Sequence, residues 1–499
     1  MGARRLPALT AIPRRELTLA AAATMLTALL AFAGGHKLGT TGLFVPAVLV
    51  LVVILLMRPL VAVSLVLVAV VVCEGPTFGL LTFTSKLYEV GFKDITLVDG
   101  LVAVAIASVG LDLIRRQRRL QVPRPLIVPC VTLALGMASG VVVGHAAGAS
   151  LRFAITSEHV LAYLLLLPLA VANLEIDRRK ITWLLGCLAA LAAAKGLLGL
   201  VEVAGHRGTS IEGVATLTYY EPTANWIVMI AILTIFAAVL ARAKPPLWIL
   251  LISPVLIACL VLSYRRSFWI GAVLGLLLVL LLGTSPVGRR LLVPAGLAVL
   301  AAIWLLGSIH FQGQIPIIKR AASLNPSKLE ASAEDRYRLD ERANVLAEIR
   351  AHPIEGLGVT IPWAATAQTL SLEGEGEGRQ YVHFAALWFW LKLGILGLFG
   401  YVGMMLGSMW LAWQAWRRSH EPLLRAFGLG SLAGMVGLIA IDTTASFTGV
   451  DPRFTVLFAA QVGLLALIAG SAEQESEAAV PAASAPDPAP GGAAALPVG

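Results

Sequence analysis

Charged side chains are scarce in this chain, since Asp, Glu, Lys and Arg make up 13% of its 499 residues. The sequence contains no HExxH segment, no phosphate-cradling GxxxxGK[ST] loop and no CxxC pair. These absences disfavour a dependence on metal or ATP, and we expect no cofactor. The four cysteines lie in apolar segments, where we interpret them as small buried hydrophobic residues: Cys73, Cys130, Cys187 and Cys259.

Long hydrophobic runs are abundant. Hydrophobic residues make up 58% of the chain, and the mean hydropathy is +0.84. Runs long enough to cross ~30 Å of hydrocarbon recur from Leu17 to Gly470. We therefore predict an all-α polytopic membrane protein with about fourteen transmembrane helices. The number falls to twelve or thirteen if segments 42–57 and 60–81, separated by Arg58 and Pro59, form one span or if another short span is re-entrant.

The distribution of Lys and Arg predicts the orientation. If the arginine-rich N-terminus is cytoplasmic, the inner loops hold more than twice as many Lys and Arg residues as the short outer loops. Positive side chains accumulate in short cytoplasmic loops, so both termini are predicted to be cytoplasmic. The net charge of +9 then reflects topology and contact with anionic membrane lipids, and it does not require a nucleic-acid partner.

The spans divide the chain unequally. We predict four regions: N-terminal transmembrane helices over 1–308, a large extracytoplasmic loop domain over 309–383, C-terminal transmembrane helices over 384–470 and a disordered cytoplasmic tail over 471–499. One long loop interrupts only the C-terminal half, which argues against an inverted-repeat transporter. Loops of this length are usually functional.

Within the large loop, the stretch DRYRLDERANVLAEIRAHP predicts an amphipathic helix that ends at Pro353. Its apolar residues recur at helical spacing: Leu339, Ala343, Leu346 and Ile349. Arg338 and Arg342 share one face of this helix, with Arg336 to the side. The cluster suits an anionic ligand, or it is a solvated face whose charge is neutralised by the neighbouring carboxylates of Asp335, Asp340 and Glu341.

Two further elements lie at predicted outer boundaries. Arg265 and Arg266 occupy a very short loop, where they either reach lipid headgroups or bind phosphate oxygens through their guanidinium groups. His383 opens the stretch HFAALWFWLKLGILG directly after the large loop. It is either an interfacial residue or a base suited to proton transfer near neutral pH.

Other polar residues give weaker signals. Tyr220, Glu221 and Asn225 could offer hydrogen bonds near the same surface, although interfacial aromatic belts are common. Lys195 and Glu202 are seven residues apart on one face and could form a structural polar contact. Lys392 would pair inside the bundle with a carboxylate or with backbone carbonyls.

These elements together resemble the O-antigen ligase and O-antigen polymerase family. In that family a His, usually followed by a polar residue, precedes a Gly and a further small residue, as His383 precedes Gly394 and Gly397 here. Phe384 stands where the polar residue is usual. An Arg-Leu-acid start and a His-Pro-Leu-x-Gly-x-Gly end of the loop helix correspond to 338–340 and 352–358, with Arg342 in place of a frequent Trp.

Two more motifs are matched loosely. A Ser-Arg-small motif corresponds to Arg266 and Ser267, with Arg265 where Ser is expected. An Asn-Pro-Asn turn corresponds to Glu221, Pro222 and Asn225. The resemblance covers roughly residues 200 to 450, and the order of the motifs and their common predicted face carry it.

The resemblance implies a GT-C-like, metal-independent, inverting glycosyltransferase of the bacterial inner membrane. Its donor would be a polyprenyl-diphosphate-linked glycan, and its acceptor a glycan, lipid or protein. His383 would be the base and Arg265, Arg266, Arg336, Arg338 and Arg342 would bind diphosphate, with Tyr220, Glu221 and Asn225 on the acceptor side. Ligase and polymerase remain open, as do a flippase or transporter of lipid-linked glycans and a scaffold of an export complex.

Overall fold

The fold was analysed in a computed structural model. It describes residues 44–73, 91–92, 95–204, 210–211, 214–215, 222–243, 245–283, 290, 333–367 and 379–479. The predicted spans at 17–34 and 290–308 therefore lie almost wholly outside the described residues, as does much of the large loop. Two antiparallel hairpins of two-residue strands, Gly91–Phe92 with Ile95–Thr96 and Ser210–Ile211 with Val214–Ala215, interrupt the helices.

Most of the other described residues are helical, as the long apolar runs predict. In chain order the helices are α1 Phe44–Met57, α2 Pro59–Val72, α3 Leu97–Arg115, α4 Arg124–Ala146, α5 Leu151–Ser157, α6 His159–Ala172 and α7 Arg178–Ala204. They continue with α8 Pro222–Leu240, α9 Leu247–Leu262, α10 Arg266–Gly283, α11 Ala333–Ala351, α12 Ala385–Arg418, α13 Pro422–Asp442 and α14 Pro452–Ala479. One buried apolar cluster joins α1 to α10 with α12 to α14.

Eight of the described helices are long and apolar enough to cross a membrane, and two bent helix pairs raise the number to ten. This is a multi-pass membrane protein. The predicted spans at 42–57 and 60–81 form one such pair, since α1 and α2 meet at 117°. Each has 14 residues, which is about 21 Å of helix and less than the ~30 Å of hydrocarbon. The described parts of the two segments thus meet at a bend, as in a broken span or a re-entrant loop.

The pairing of α4 with α12 places the candidate site, because α12 begins two residues after His383. Glycines on α4 let the backbones approach closely, as small residues do between membrane helices. A Cβ on Gly136 would lie 2.7 Å from the backbone nitrogen of Gly397, and one on Gly144 would lie 2.5 Å from the carbonyl oxygen of Val359. Larger side chains would separate α4 from α12.

Helix α12 is broken near its start. Its 34 residues span about 51 Å, but Gly394 has non-helical backbone angles of φ 71° and ψ −167°. The break frees backbone groups, and residues 353–361 insert beside them. The N–H of Leu357 donates to the carbonyl of Leu391 at 2.6 Å, and the N–H of Ile395 donates to the carbonyl of Ile354 at 2.9 Å. We call residues 353–361 the insert.

The insert also contacts neighbouring helices. The N–H of Val359 donates to the carbonyl of Gly140 on α4 at 3.1 Å. The Nζ of Lys392, which is 2% exposed, donates to the carbonyl of Ile361. The prediction that Lys392 pairs with a carboxylate or a backbone carbonyl is therefore confirmed for the carbonyl. The insert fixes the end of α11 against α4 and α12.

Helix α11 docks on the first turns of α12 through a separate small apolar core. Val345 and Ile349 of α11 contribute to it with Trp363, Val382, Leu387 and Leu391. The helix itself is confirmed, but the predicted buried face is only partly correct. Ile349 is buried and Leu346 packs against the small core, whereas Leu339 is 49% exposed. Tyr337, Glu341 and Val345 are buried although they were not predicted to be. Apolar spacing was a weak guide here, since polar residues occupy part of the buried face.

The structure also bears on the predictions for Lys195 and for the C-terminal tail. The Nζ of Lys195 donates to the carbonyl of Val71 at 2.8 Å at the C-terminal end of α2. The side chain of Glu202 lies outside the described residues, so a contact between the two stays a prediction. Helix α14 continues through Ala479, so residues 471–479 are helical and not disordered as predicted. Their sequence SAEQESEAA is rich in Ala and Glu, which favour helix.

Candidate active site

The centre of the site is a buried contact between His383 and Glu341. The carboxylate of Glu341 accepts from the backbone N–H of His383 at 2.8 Å. Its Oε2 and Oε1 lie 3.0 and 3.2 Å from Nδ1 of the imidazole. Glu341 is 2% exposed, whereas the side chain of His383 is 29% exposed. A partly accessible imidazole is thus held from behind by a buried carboxylate.

Two tyrosine rings border the imidazole at their edges. The ring centroid of Tyr381 lies 4.8 Å from that of His383, and the centroid of Tyr337 lies 6.1 Å away. Both tyrosines meet the imidazole nearly perpendicularly, with interplanar angles of 86° and 83°. The aromatic edges leave the imidazole little rotational freedom, so its orientation is set by α11 and by the approach to α12.

Tyr381 connects this pair to the connection between α13 and α14. Its hydroxyl donates to the carbonyl of Ser446 at 3.2 Å and accepts from the N–H of Ser446 at 3.0 Å. The carbonyl of Tyr381 accepts from Nε1 of Trp363 at 3.1 Å. These contacts fix the two residues that precede His383 against both the loop domain and the helical bundle.

The arginines converge on the same place from two elements. Burial raises the pKa of the Tyr381 hydroxyl, as does the charge of Glu341, whereas the charges of Arg265 and Arg338 lower it. Both guanidinium groups therefore lie near enough to Tyr381 for electrostatic interaction. The guanidinium of Arg265 also lies 5.3 Å from the ring centroid of Phe447. The structure thus groups Arg265 and Arg338 around the residue that contacts His383.

The other three predicted arginines occupy the edges of this group. Arg266 is the first residue of α10 and is partly buried, whereas Arg336 and Arg342 are exposed on α11. The guanidinium of Arg342 lies 5.5 Å from the ring centroid of Phe384. Arg342 and Phe384 are the two residues that depart most clearly from the family pattern, and here they contact each other in a cation–π pair.

Of the three predicted acceptor-side residues, the structure describes one. Asn225 is 1% exposed in the first turn of α8, and Tyr220 and Glu221 lie outside the described residues. Glu341 is the site residue that the sequence did not single out as functional. Its signal was weak: it lies four residues after Tyr337 and four before Val345, on the face that becomes buried. Among the described residues, no three His, Cys, Asp or Glu side chains form a potential metal site.

Comparison with known protein families gives a match over the segment that contains His383, Glu341 and the arginines. Residues 249–402 match the family described as O-antigen ligase. Over these residues the chain is similar to that family. The matched segment includes α9 to α11 and the start of α12, and therefore all of His383, Glu341 and the five arginines. Comparison with curated proteins gives no match.

The matched segment thus contains His383, Glu341 and the arginines in one continuous stretch, whereas part of their structural support comes from outside that segment. Gly140 of α4, which binds the insert, and Ser446, which binds Tyr381, both lie beyond residues 249–402. The family assignment agrees with the resemblance seen in the sequence motifs. Together with the membrane-spanning helices, the match supports a role in glycan assembly at a membrane.

Proposed function

We propose that this protein is a membrane glycosyltransferase. It moves a glycan from a polyprenyl-diphosphate carrier to a hydroxyl group of an acceptor at the extracytoplasmic face of the bacterial inner membrane. One observation carries the proposal: within the segment that matches the O-antigen ligase family, a partly exposed His383 is held by Glu341 and contacts Tyr381, whose hydroxyl interacts electrostatically with Arg265 and Arg338. An imidazole beside cationic groups matches the needs of this reaction.

The chemistry requires one proton transfer and one displacement. The acceptor oxygen forms a bond to the anomeric carbon while its proton passes to the imidazole of His383. The bond between that carbon and the phosphate oxygen breaks, and its electron pair leaves with the polyprenyl diphosphate. Attack from the face opposite the leaving group inverts the anomeric configuration. The imidazolium later returns its proton to solvent.

The arginines stabilise the leaving group. Negative charge grows on the diphosphate as the glycosidic bond breaks, and guanidinium groups bind phosphate oxygens in pairs. Arg265 and Arg338 interact electrostatically with Tyr381, and Arg266 adjoins Arg265 in the sequence. Arg336 and Arg342 are exposed and extend the positive charge toward solvent. Because these side chains supply the charge that a divalent metal supplies elsewhere, the reaction is proposed to be metal-independent.

A transfer assay in reconstituted bilayers tests the proposal. The protein is incorporated into vesicles that contain a defined polyprenyl-diphosphate-linked glycan, and acceptor is added with a metal chelator. We expect glycan to leave the carrier and appear on the acceptor with inverted configuration. A transporter would instead move intact lipid-linked glycan across the bilayer without breaking the bond to phosphate. That result would refute the proposed glycosyltransferase activity.

An arginine substitution tests the assignment of the leaving-group site. Arg338→Ala is expected to lower the single-turnover rate by about 10²- to 10³-fold, as loss of a positioned charge stabiliser does. Arg350→Ala is the matched control, because Arg350 is exposed in the last turn of the same helix. Equal rates in the two variants would exclude Arg338 from the site.

Product length separates the two activities that share this proposal. Loss of long chains, with single units still attached in cells that lack the protein, indicates a polymerase. Intact long chains left on the carrier indicate a ligase.

A further inference from the structure

We infer that Glu341 is a positioning residue that holds His383 in the tautomer with the proton on Nδ1, which leaves Nε2 as the base. The inference rests on the proposed function for its catalytic meaning, but the tautomer itself is a property of the resting protein. It assigns a role to a residue that the sequence presents as one of several charges on a polar helix.

Hydrogen-bond chemistry determines the tautomer. A carboxylate only accepts hydrogen bonds, so the nitrogen that faces Glu341 must carry hydrogen. That nitrogen is Nδ1, at 3.0 Å from Oε2. In a neutral imidazole the other nitrogen is then unprotonated and able to accept a proton. Within the part of the chain that the structure describes, Nε2 of His383 makes no hydrogen bond that would compete for its lone pair.

The carboxylate is fixed more firmly than a surface partner would be. Its second contact, with the backbone N–H of His383, ties it to the main chain as well as to the ring. Glu341 is on α11, which Val345 and Ile349 anchor to the first turns of α12. A buried carboxylate is unfavourable without a compensating partner, and the imidazolium formed during transfer would supply a positive charge 3.0 Å away. Glu341 would therefore also stabilise the protonated base.

A second histidine pair in the same loop domain shows the contrast. Nδ1 of His352 lies 3.0 Å from Oε1 of Glu355, but the two side chains are 44% and 48% exposed and only three residues apart. Neither side chain has the burial of Glu341. Nearness of a histidine to a carboxylate is therefore not the distinguishing feature of the site.

Glu341→Gln removes the selection between tautomers with little change of shape. The amide oxygen can accept from Nδ1–H, but the amide nitrogen can donate to Nδ1 and leave the proton on Nε2, where it blocks the base. We expect the rate of transfer to fall by roughly 10²-fold at unchanged donor KM. The loss should not exceed the contribution that general-base catalysis makes to the rate. Glu348→Gln is the matched control, because Glu348 is on the same helix and accepts from the N–H of Ala364 at 3.1 Å, a bond that glutamine retains.

The test uses two readouts on the purified full chain. ¹⁵N-histidine spectra, assigned by the signal lost in His383→Ala, are expected to show the Nδ1–H tautomer in the wild type and in Glu348→Gln and a mixture of the two tautomers in Glu341→Gln. An unchanged tautomer in Glu341→Gln would overturn the inference. Transfer rates in the His383→Ala background form the second readout: no further loss on adding Glu341→Gln supports action through His383, whereas a full additional loss contradicts it. If the wild type transfers no glycan, the proposed function fails while the spectra still decide the tautomer.

Discussion

Gly394→Ala adds a methyl group where the broken helix meets the insert. A Cβ at this position would lie 2.2 Å from the carbonyl oxygen of Ile354 and 2.9 Å from the carbonyl carbon and oxygen of Glu355. All three are backbone atoms, so none can move aside by changing a rotamer. The backbone of Gly394 also has a φ of 71° with ψ of −167°, a region that essentially only glycine adopts.

The cost follows from these two effects. Holding a non-glycine residue in that region costs about 1–3 kcal/mol, and forcing a methyl into a filled space costs about 1–3 kcal/mol more. We therefore expect Gly394→Ala to lower the free energy of unfolding by about 2–6 kcal/mol. The alternative is expulsion of the insert, which loses the bonds between Leu357 and Leu391 and between Ile395 and Ile354. In either case α11 loses support, and transfer should fall with stability.

Thermal unfolding in detergent measures the effect, with Gly110→Ala as the control. Gly110 is in the middle of α3 and a Cβ there would meet nothing within 4 Å. That variant should be neutral or slightly stabilising, because alanine favours helix over glycine by about 1 kcal/mol. If Gly394→Ala matches Gly110→Ala in thermal midpoint and in transfer rate, the reasoning about the break and its insert is refuted.

Two further substitutions test the supporting contacts. Lys392→Met should lower the thermal midpoint by the equivalent of about 1–3 kcal/mol, because it leaves the carbonyl of Ile361 without its donor; an unchanged or higher midpoint would contradict this. Burial raises the pKa of Tyr381 in the folded protein, so the unfolded state loses the tyrosine proton at a lower pH than the folded state does. The contribution of this proton to the free energy of unfolding is therefore constant below about pH 10 and declines above it. Tyr381→Phe loses the hydrogen bonds to Ser446 and should be less stable at neutral pH. Its free energy of unfolding should also decline less at alkaline pH. Parallel pH profiles of unfolding for the two proteins would argue against a raised pKa.

The sequence predicts most of the helices because a bilayer imposes a simple requirement on them. Apolar runs near twenty residues long are readable without knowledge of their neighbours, and α3, α8 and α13 lie close to their predicted positions. Bends are harder to predict. The 117° angle between α1 and α2 occurs at Arg58 and Pro59, which the sequence marks as a boundary without giving the angle.

The candidate site was predictable only in part. His383 and the arginines are conspicuous because charged and titratable residues are rare at predicted membrane boundaries. Glu341 is not, since its burial depends on the docking of α11 against α12, a contact between residues 42 positions apart. The break at Gly394 has the same origin: glycine is common in membrane helices, and only the insert from the preceding loop makes this one a break.

The most direct test of the central claim is single-turnover glycan transfer in reconstituted bilayers by His383→Ala and His352→Ala. Both variants remove a loop-domain histidine that contacts a carboxylate, but only His383 is held by a buried one. We predict that His383→Ala lowers the rate by about 10²- to 10⁴-fold, the usual contribution of a general base, while His352→Ala transfers at nearly the wild-type rate. Transfer by His383→Ala at the rate of His352→Ala would contradict the assignment of the base.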